Sequence, residues 1–131
     1  MSQQVILCVD DEEIVLTSLE SQLRGAFSNA YSYEFAENAD DAFSILQELE
    51  ENGDAVVIVI SDWLMPGLKG DEFLVRVHSK YPQVSTIMLT GQADQVAIEN
   101  ACQNAKLQRC MAKPWDGRDL VETIRGCVKV L

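Results

Sequence analysis

Two short runs of almost uninterrupted apolar residues constrain the fold of this 131-residue chain more than any other feature. The runs are QVILCV at 4–9 and AVVIVIS at 55–61. They are rich in β-branched residues and too continuous for strands that expose one face to water. Strands of this kind occur in parallel sheets that helices cover on both faces. The sequence therefore predicts buried parallel strands at these two positions, and VSTIMLTG at 84–91 is predicted as a further strand.

Segments in which apolar residues recur at helical spacing alternate with these runs. The segment 13–27 has this spacing, and 39–51 repeats it after a weaker strand at 31–36. The remaining predicted elements are helices at 71–81, 92–105 and 116–130 and a short strand at 108–112. Because strands and helices alternate throughout, we predict an α/β protein of five βα units, a three-layer sandwich around a five-stranded parallel sheet.

Length and composition fit a single domain that spans residues 1–131, since 47% hydrophobic residues suffice for one core. The net charge of -11 argues against direct nucleic acid binding, which needs a clustered basic surface. No stretch approaches the roughly 18 apolar residues of a membrane span. The four cysteines and the single histidine do not form a zinc ligand set. We therefore expect a cytoplasmic protein with no membrane contact.

Polar residues follow four of the predicted strands. Asp10 and Asp11 follow the first strand, Asp62 the third, Thr90 closes the fourth, and Lys113 follows the fifth. Because the carboxyl ends of parallel strands meet at one edge of the sheet, these side chains should line one crevice. Three carboxylates that face one another repel, so at neutral pH they must share a proton, recruit a cation, or both, and a hard dication is the simplest remedy. Magnesium (Mg2+) suits such oxygen ligands, particularly with a phosphate in its shell.

The same set of residues predicts a chemistry. A carboxylate can act as a nucleophile and form an acyl phosphate, and Asp62, on a tight loop beyond a buried strand, is the best placed to do so. Lys113 and the hydroxyl of Thr90 would supply a charge and a hydrogen bond to the phosphate.

The motifs VDDEE, ISDWLMPGLKGDEF, IMLTG and AKPW resemble, in order and spacing, those of the receiver domain of two-component response regulators. The resemblance implies a flavodoxin-like fold with strand order 2-1-3-4-5. It also implies a phosphorylation-dependent signalling switch in a two-component phosphorelay. A histidine kinase or phosphotransfer protein would supply the phosphoryl group, and a downstream effector protein or C-terminal output domain would respond. Such a protein is not an enzyme for other substrates, because it catalyses only its own phosphorylation and dephosphorylation.

The resemblance further implies roles for individual residues. Asp62 would be the phosphoacceptor, Thr90 the switch hydroxyl and Lys113 the counter-ion of the phosphate. The bond from Lys113 to Pro114 would be cis. The metal ligands would be Asp11, Asp62 and the backbone carbonyl of Leu64, with Asp10 acting through water.

One position departs from the family pattern. Three residues before the lysine, receivers commonly carry a tyrosine or phenylalanine that turns inward on activation, and this chain has Cys110. Whether the usual coupling of the threonine to an aromatic ring operates in this chain is therefore an open question. A second open alternative is that the chain is a degenerate receiver that serves only for protein docking. The complete acidic set and the lysine argue against the docking role.

Two other classes of protein share parts of the pattern. A haloacid-dehalogenase-type phosphatase needs a second acid two residues after its nucleophile, where this chain has Leu64. A flavodoxin-like FMN carrier needs a Ser/Thr/Gly-rich phosphate loop after the first strand, where this chain has two aspartates that would repel phosphate. Both classes therefore fit less well than a receiver.

Overall fold

In the computed structural model, five strands alternate with five α-helices within the described residues, which are 3–65, 67–91, 95–105 and 107–128. The strands are β1 (Gln4–Val9), β2 (Ser32–Ala36), β3 (Ala55–Asp62), β4 (Ser85–Thr90) and β5 (Leu107–Ala112). The helices are α1 (Glu13–Phe27), α2 (Ala39–Glu51), α3 (Gly70–Lys80), α4 (Gln95–Asn104) and α5 (Gly117–Val128). A 3-10 turn, Ser28–Ala30, follows α1.

All strand pairs are parallel, and the sheet has the order β2-β1-β3-β4-β5. The predicted flavodoxin-like fold and its strand order are therefore confirmed. The order reverses between β1 and β3, because the chain leaves β1 towards β2 and then returns to the other side of β1. A crevice forms at such a reversal, at the carboxyl ends of the strands.

The hydrophobic core is divided into two layers by the sheet. Alternate residues of a strand point to opposite faces, so Val59 packs with the side chains of α2, α3 and α4, whereas Ile60 packs with those of α1 and α5. Both residues are fully buried, as are Leu7 and Cys8 on the neighbouring strand β1. Burial on both faces accounts for the nearly continuous apolar runs in the sequence.

The bounds of several elements differ from the sequence prediction. Strand β3 continues one residue further than predicted and includes Asp62. Helix α5 begins at Gly117 rather than 116, because the side chain of Asp116 accepts a hydrogen bond of 2.9 Å from the backbone N–H of Arg118 and caps the helix. Predicted helix residues 92–94, 129 and 130 lie outside the described residues. In the part of the chain that is described, none of the helices combines the length and the hydropathy needed to cross a membrane.

Gly70, the first residue of α3, holds this helix against the backbone that carries Asp62. Its N–H donates a hydrogen bond of 2.7 Å to the carbonyl oxygen of Trp63. A Cβ atom at position 70 would clash with the carbonyl oxygen of Asp62 and with Trp63 Cα. Only glycine therefore lets α3 approach this closely.

Replacing Gly70 by alanine should lower the free energy of unfolding by about 1–3 kcal/mol, because backbone atoms must move to admit the methyl group. Gly25 is a matched control, since it lies inside α1 and a Cβ atom there would meet no heavy atom within 4 Å. Gly25→Ala should raise the free energy of unfolding by about 0.5–1 kcal/mol. Urea denaturation measures both changes, and equal stability of Gly70→Ala and the unmodified protein would contradict this view of the α3 contact.

Candidate functional site

The carboxyl edge of the sheet carries a cluster of three aspartates. Asp10 and Asp11 follow β1, and Asp62 is the last residue of β3. One carboxylate oxygen of each lies within 4.8 Å of the other two. Asp11 and Asp62 also line an open cleft of about 820 Å³, together with Trp63 and Lys113. The topology therefore brings together the acidic residues that the sequence analysis selected.

Lys113, which follows the edge strand β5, also contacts this cluster. Its Nζ donates a hydrogen bond of 2.8 Å to Asp10 Oδ2 and lies 2.9 Å from Asp62 Oδ1. Glu12 Oε1 is 3.8 Å from the same ammonium group, but its side chain is exposed. The two close ion pairs are largely buried, so loss of Lys113 would leave two buried carboxylates without their cation, whereas loss of Asp62 would leave Lys113 paired with Asp10.

Asp10 and Asp11 occupy different environments. Asp10 is fully buried, and both of its carboxylate oxygens accept hydrogen bonds, Oδ1 from the N–H of Glu12 at 2.8 Å and Oδ2 from Lys113. Asp11 is exposed to solvent. A cation that enters from the cleft would therefore reach Asp11 more directly than Asp10.

The charges of the cluster change the protonation of its members. Burial raises the pKa of Asp62 above its ordinary value, the hydrogen bond with Lys113 acts in the opposite direction, and the nearby charges of Asp10 and Asp11 raise it further. Burial by itself would lower the pKa of Lys113, but hydrogen bonds to Asp10 and Asp62 outweigh it and raise that pKa. Three carboxylates against one ammonium group leave an excess of negative charge. The oxygen donors and this excess fit a hard dication such as Mg2+.

The other predicted site residues lie at the same edge. Thr90 is the buried last residue of β4, and its carbonyl oxygen accepts a hydrogen bond of 2.9 Å from the N–H of Lys113. Leu64 lines the cleft with an exposed side chain. The peptide bond between Lys113 and Pro114 is cis, as the resemblance implies. Cys110, in β5, is partly buried against the core layer on the side of α3 and α4.

The sequence analysis missed a buried polar pair next to this site. Asp71, in the first turn of α3, is only 7% exposed and accepts a hydrogen bond of 2.9 Å from Nδ2 of Asn100 in α4. Acidic residues in a first helical turn usually face solvent and interact with the helix dipole. The sequence carries no signal for this pair, because both residues have the polarity of a helix surface.

Comparisons with known proteins agree on one family. The family model for the response regulator receiver domain matches residues 6–125. The hydrogenase transcriptional regulatory protein HoxA of Cupriavidus necator is 29% identical over 97% of this chain, which spans only 24% of the length of HoxA. Chemotaxis protein CheY-3 of Vibrio cholerae is 30% identical, with 91% of this chain and 87% of CheY-3 covered.

The fold comparison gives the same result. The crystal structure of the signal receiver domain of an HD domain-containing protein from Pseudomonas fluorescens Pf-5 superposes with a TM-score of 0.86. That domain is 31% identical to this chain, and the match covers 97% of this chain and 95% of that structure. The similarity therefore extends over nearly the whole chain.

We expect Asp62→Asn to stabilise the metal-free protein at pH 7. The raised pKa means that folding favours the protonated, neutral carboxyl group, so ionisation of Asp62 opposes folding at every pH above its pKa. A neutral amide removes this penalty and should raise the melting temperature by roughly 2–5 °C. Thermal unfolding with a chelator present measures the shift. The difference should shrink as the pH falls towards the ordinary carboxyl value of 3.8, and a lower melting temperature of the variant at pH 7 would contradict the prediction.

Proposed function

The chain belongs to the response regulator receiver family of two-component signalling, and from this premise we propose that it is a switch that accepts a phosphoryl group on Asp62. A histidine kinase or phosphotransfer protein is the proposed donor. The observation that carries the proposal is the position of Lys113, whose ammonium group lies 2.9 Å from a carboxylate oxygen of Asp62 beside Asp10 and Asp11.

In the proposed step, a carboxylate oxygen of Asp62 attacks the phosphorus of an N-phosphorylated imidazole. A P–O bond forms as the P–N bond breaks, and the imidazole nitrogen keeps the electron pair and takes a proton from solvent. The ammonium group of Lys113 lies beside the attacking oxygen, where it can stabilise the negative charge that develops on the phosphoryl oxygens. The protein thus modifies itself and turns over no separate substrate.

We propose Mg2+ as the cofactor of this step. Asp11, Asp62 and the backbone carbonyl of Leu64 would hold the ion, and Asp10 would contact it through water. The exposure of Asp11 and the two hydrogen bonds already made by Asp10 support this division. When bound, Mg2+ supplies positive charge that neutralises the transferring phosphoryl group.

The proposed output begins at the ends of β4 and β5. The hydroxyl of Thr90 would bind the new phosphoryl group, and the hydrogen bond between the Lys113 N–H and the Thr90 carbonyl joins the ends of these two strands. Movement there would alter the surface formed by α4, β5 and α5. We propose that a downstream effector protein or an output domain reads this surface in the cytoplasm, and that the receiver does not contact nucleic acid or a membrane directly.

Treatment with Mg2+ and a small phosphodonor such as acetyl phosphate should add one phosphoryl group to the protein. Asp62→Asn should abolish the adduct, because an amide is a far weaker nucleophile than a carboxylate. Asp40→Asn, at an exposed position of α2, is the matched control and should be modified normally. Intact-protein mass spectrometry gives the result. If Asp62→Asn formed the adduct in the same yield as the wild-type protein, the assignment of Asp62 would be refuted. If the wild-type protein accepted no phosphoryl group, it would instead be a receiver that serves only for docking.

The two neighbouring aspartates should differ in their effect on metal affinity. Asp10→Ala should weaken Mg2+ binding about tenfold, because it removes an outer contact, and Asp11→Ala should weaken it more, because it removes a direct ligand. Calorimetric titration of each variant with Mg2+ measures both losses. Equal losses would show that the proposed division between direct and water-mediated contact is incorrect.

A further inference from the structure

A buried polar contact joins α3 to α4. Asn100 donates a hydrogen bond of 2.9 Å from Nδ2 to Asp71 Oδ2, and its own Oδ1 accepts a hydrogen bond of 2.8 Å from Asn104. Within the described residues, the other oxygen of the buried Asp71 carboxyl group, Oδ1, is also buried and has no hydrogen-bond partner. Asp71 is therefore held in the interior by a single neutral amide.

This pair is disadvantageous for stability alone. A buried carboxyl group with one unpartnered oxygen opposes folding. Asparagine is also a poor helix former, and α4 contains two of them, at 100 and 104. An apolar pair of similar size would pack α3 against α4 more favourably. The contact is therefore a candidate for a conformational role.

Helix α3 connects this contact to Asp62. Gly70 lies against the carbonyl oxygen of Asp62, and its N–H is bonded to the carbonyl oxygen of Trp63. Asp71 is the next residue in the same helical turn. Because the packing at Gly70 leaves no room for a methyl group, a displacement of the backbone at Asp62 must move this turn.

Helix α4 is fixed at its other end. The hydroxyl of Thr86, in β4, donates a hydrogen bond of 3.2 Å to the carbonyl oxygen of Ala105, directly after the helix. The bond from Asn100 to Asp71 holds the middle of α4, so its release would leave the first half of the helix able to pivot about the Thr86 end. That half is the part of α4 nearest to Thr90 in the sequence.

We propose that the hydrogen bond between Asp71 and Asn100 is a latch that stabilises the unphosphorylated position of α4 and weakens when Asp62 is loaded. The proposal rests on the proposed function and adds a route of regulation to it. Loading of Asp62 would shift the backbone at 62–64, Gly70 would carry the shift to the first turn of α3, and Asp71 would lose its alignment with Asn100. This route does not need an aromatic ring at Cys110.

Reciprocity gives a direct test. If the latch opposes loading, removing it must increase the affinity for a phosphoryl mimic. We expect Asn100→Asp, which places a carboxylate against Asp71, and the milder Asn100→Ala to bind beryllofluoride with Mg2+ about threefold more tightly than the unmodified protein. Titration followed by tryptophan fluorescence measures the affinity, since Trp63 lines the cleft. Hydrogen exchange across α4 in both unloaded variants should rise towards that of the loaded, unmodified protein.

A swapped pair and a neighbouring charge serve as controls. The double variant Asp71→Asn with Asn100→Asp restores a carboxylate–amide pair and should return the affinity to within about twofold of the unmodified protein. Glu72→Gln removes an exposed charge from the same turn of α3 and should leave the affinity unchanged. Thermal unfolding of each variant separates a loss of stability from a change in affinity.

The outcomes distinguish this inference from the function on which it rests. If the unmodified protein did not bind beryllofluoride, both the proposed phosphoryl switch and the latch would be contradicted. Normal binding with the same affinity in Asn100→Asp and Asn100→Ala would overturn the latch and leave the phosphoryl switch intact. Failure of the swapped pair to restore the affinity would also overturn the latch.

Discussion

The ion pairs that Lys113 makes with Asp10 and Asp62 are the interaction on which the site depends. In the sheet order, β4 lies between β5 and β3, so Lys113 must extend over the end of β4 to reach Asp62. Thr90 stands at that end, and its carbonyl oxygen is bonded to the N–H of the same lysine. A change in the partners of the ammonium group therefore acts on the strand end that it crosses. The acidic cluster and the proposed switch hydroxyl are parts of one connected arrangement.

The charge balance of the cluster explains why a metal and a phosphoryl group would act together. Lys113 compensates one of three carboxylates, and burial raises the pKa of Asp62 because its ionised form is poorly solvated. A phosphoryl group brings further negative charge beside Asp10 and Asp11 and would be repelled without another cation. A dication at Asp11 and Asp62 would relieve that repulsion. The excess negative charge thus destabilises the protein in the absence of a metal ion, and it favours the binding of a dication together with the phosphoryl group.

Local sequence patterns predicted the parts of the fold that depend on continuous burial. Strands β1 and β3 were evident because both faces of each strand are covered, and the residues at their ends followed from topology. The strand order came from the family resemblance, since periodicity does not say which strands pair. The contact of Asp71 with Asn100 could not be predicted, because both residues have the polarity of a helix surface and only the packing of α3 on α4 buries Asp71.

The size of a single hydrogen bond defines what the latch can do. A change in population from 1:99 to 99:1 requires about 5.5 kcal/mol, whereas a hydrogen bond to a charged group contributes about 1.5–3 kcal/mol. The latch therefore holds the unphosphorylated state with only part of this free energy, and the contacts of the phosphoryl group with Lys113 and Thr90 would have to outweigh it. Burial of an aromatic side chain is worth about 1.5–3 kcal/mol, and the smaller Cys110 provides less of it. Without that contribution the phosphorylated state is favoured less, and the latch, which favours the unphosphorylated state, would place the control of α4 at α3 rather than at β5.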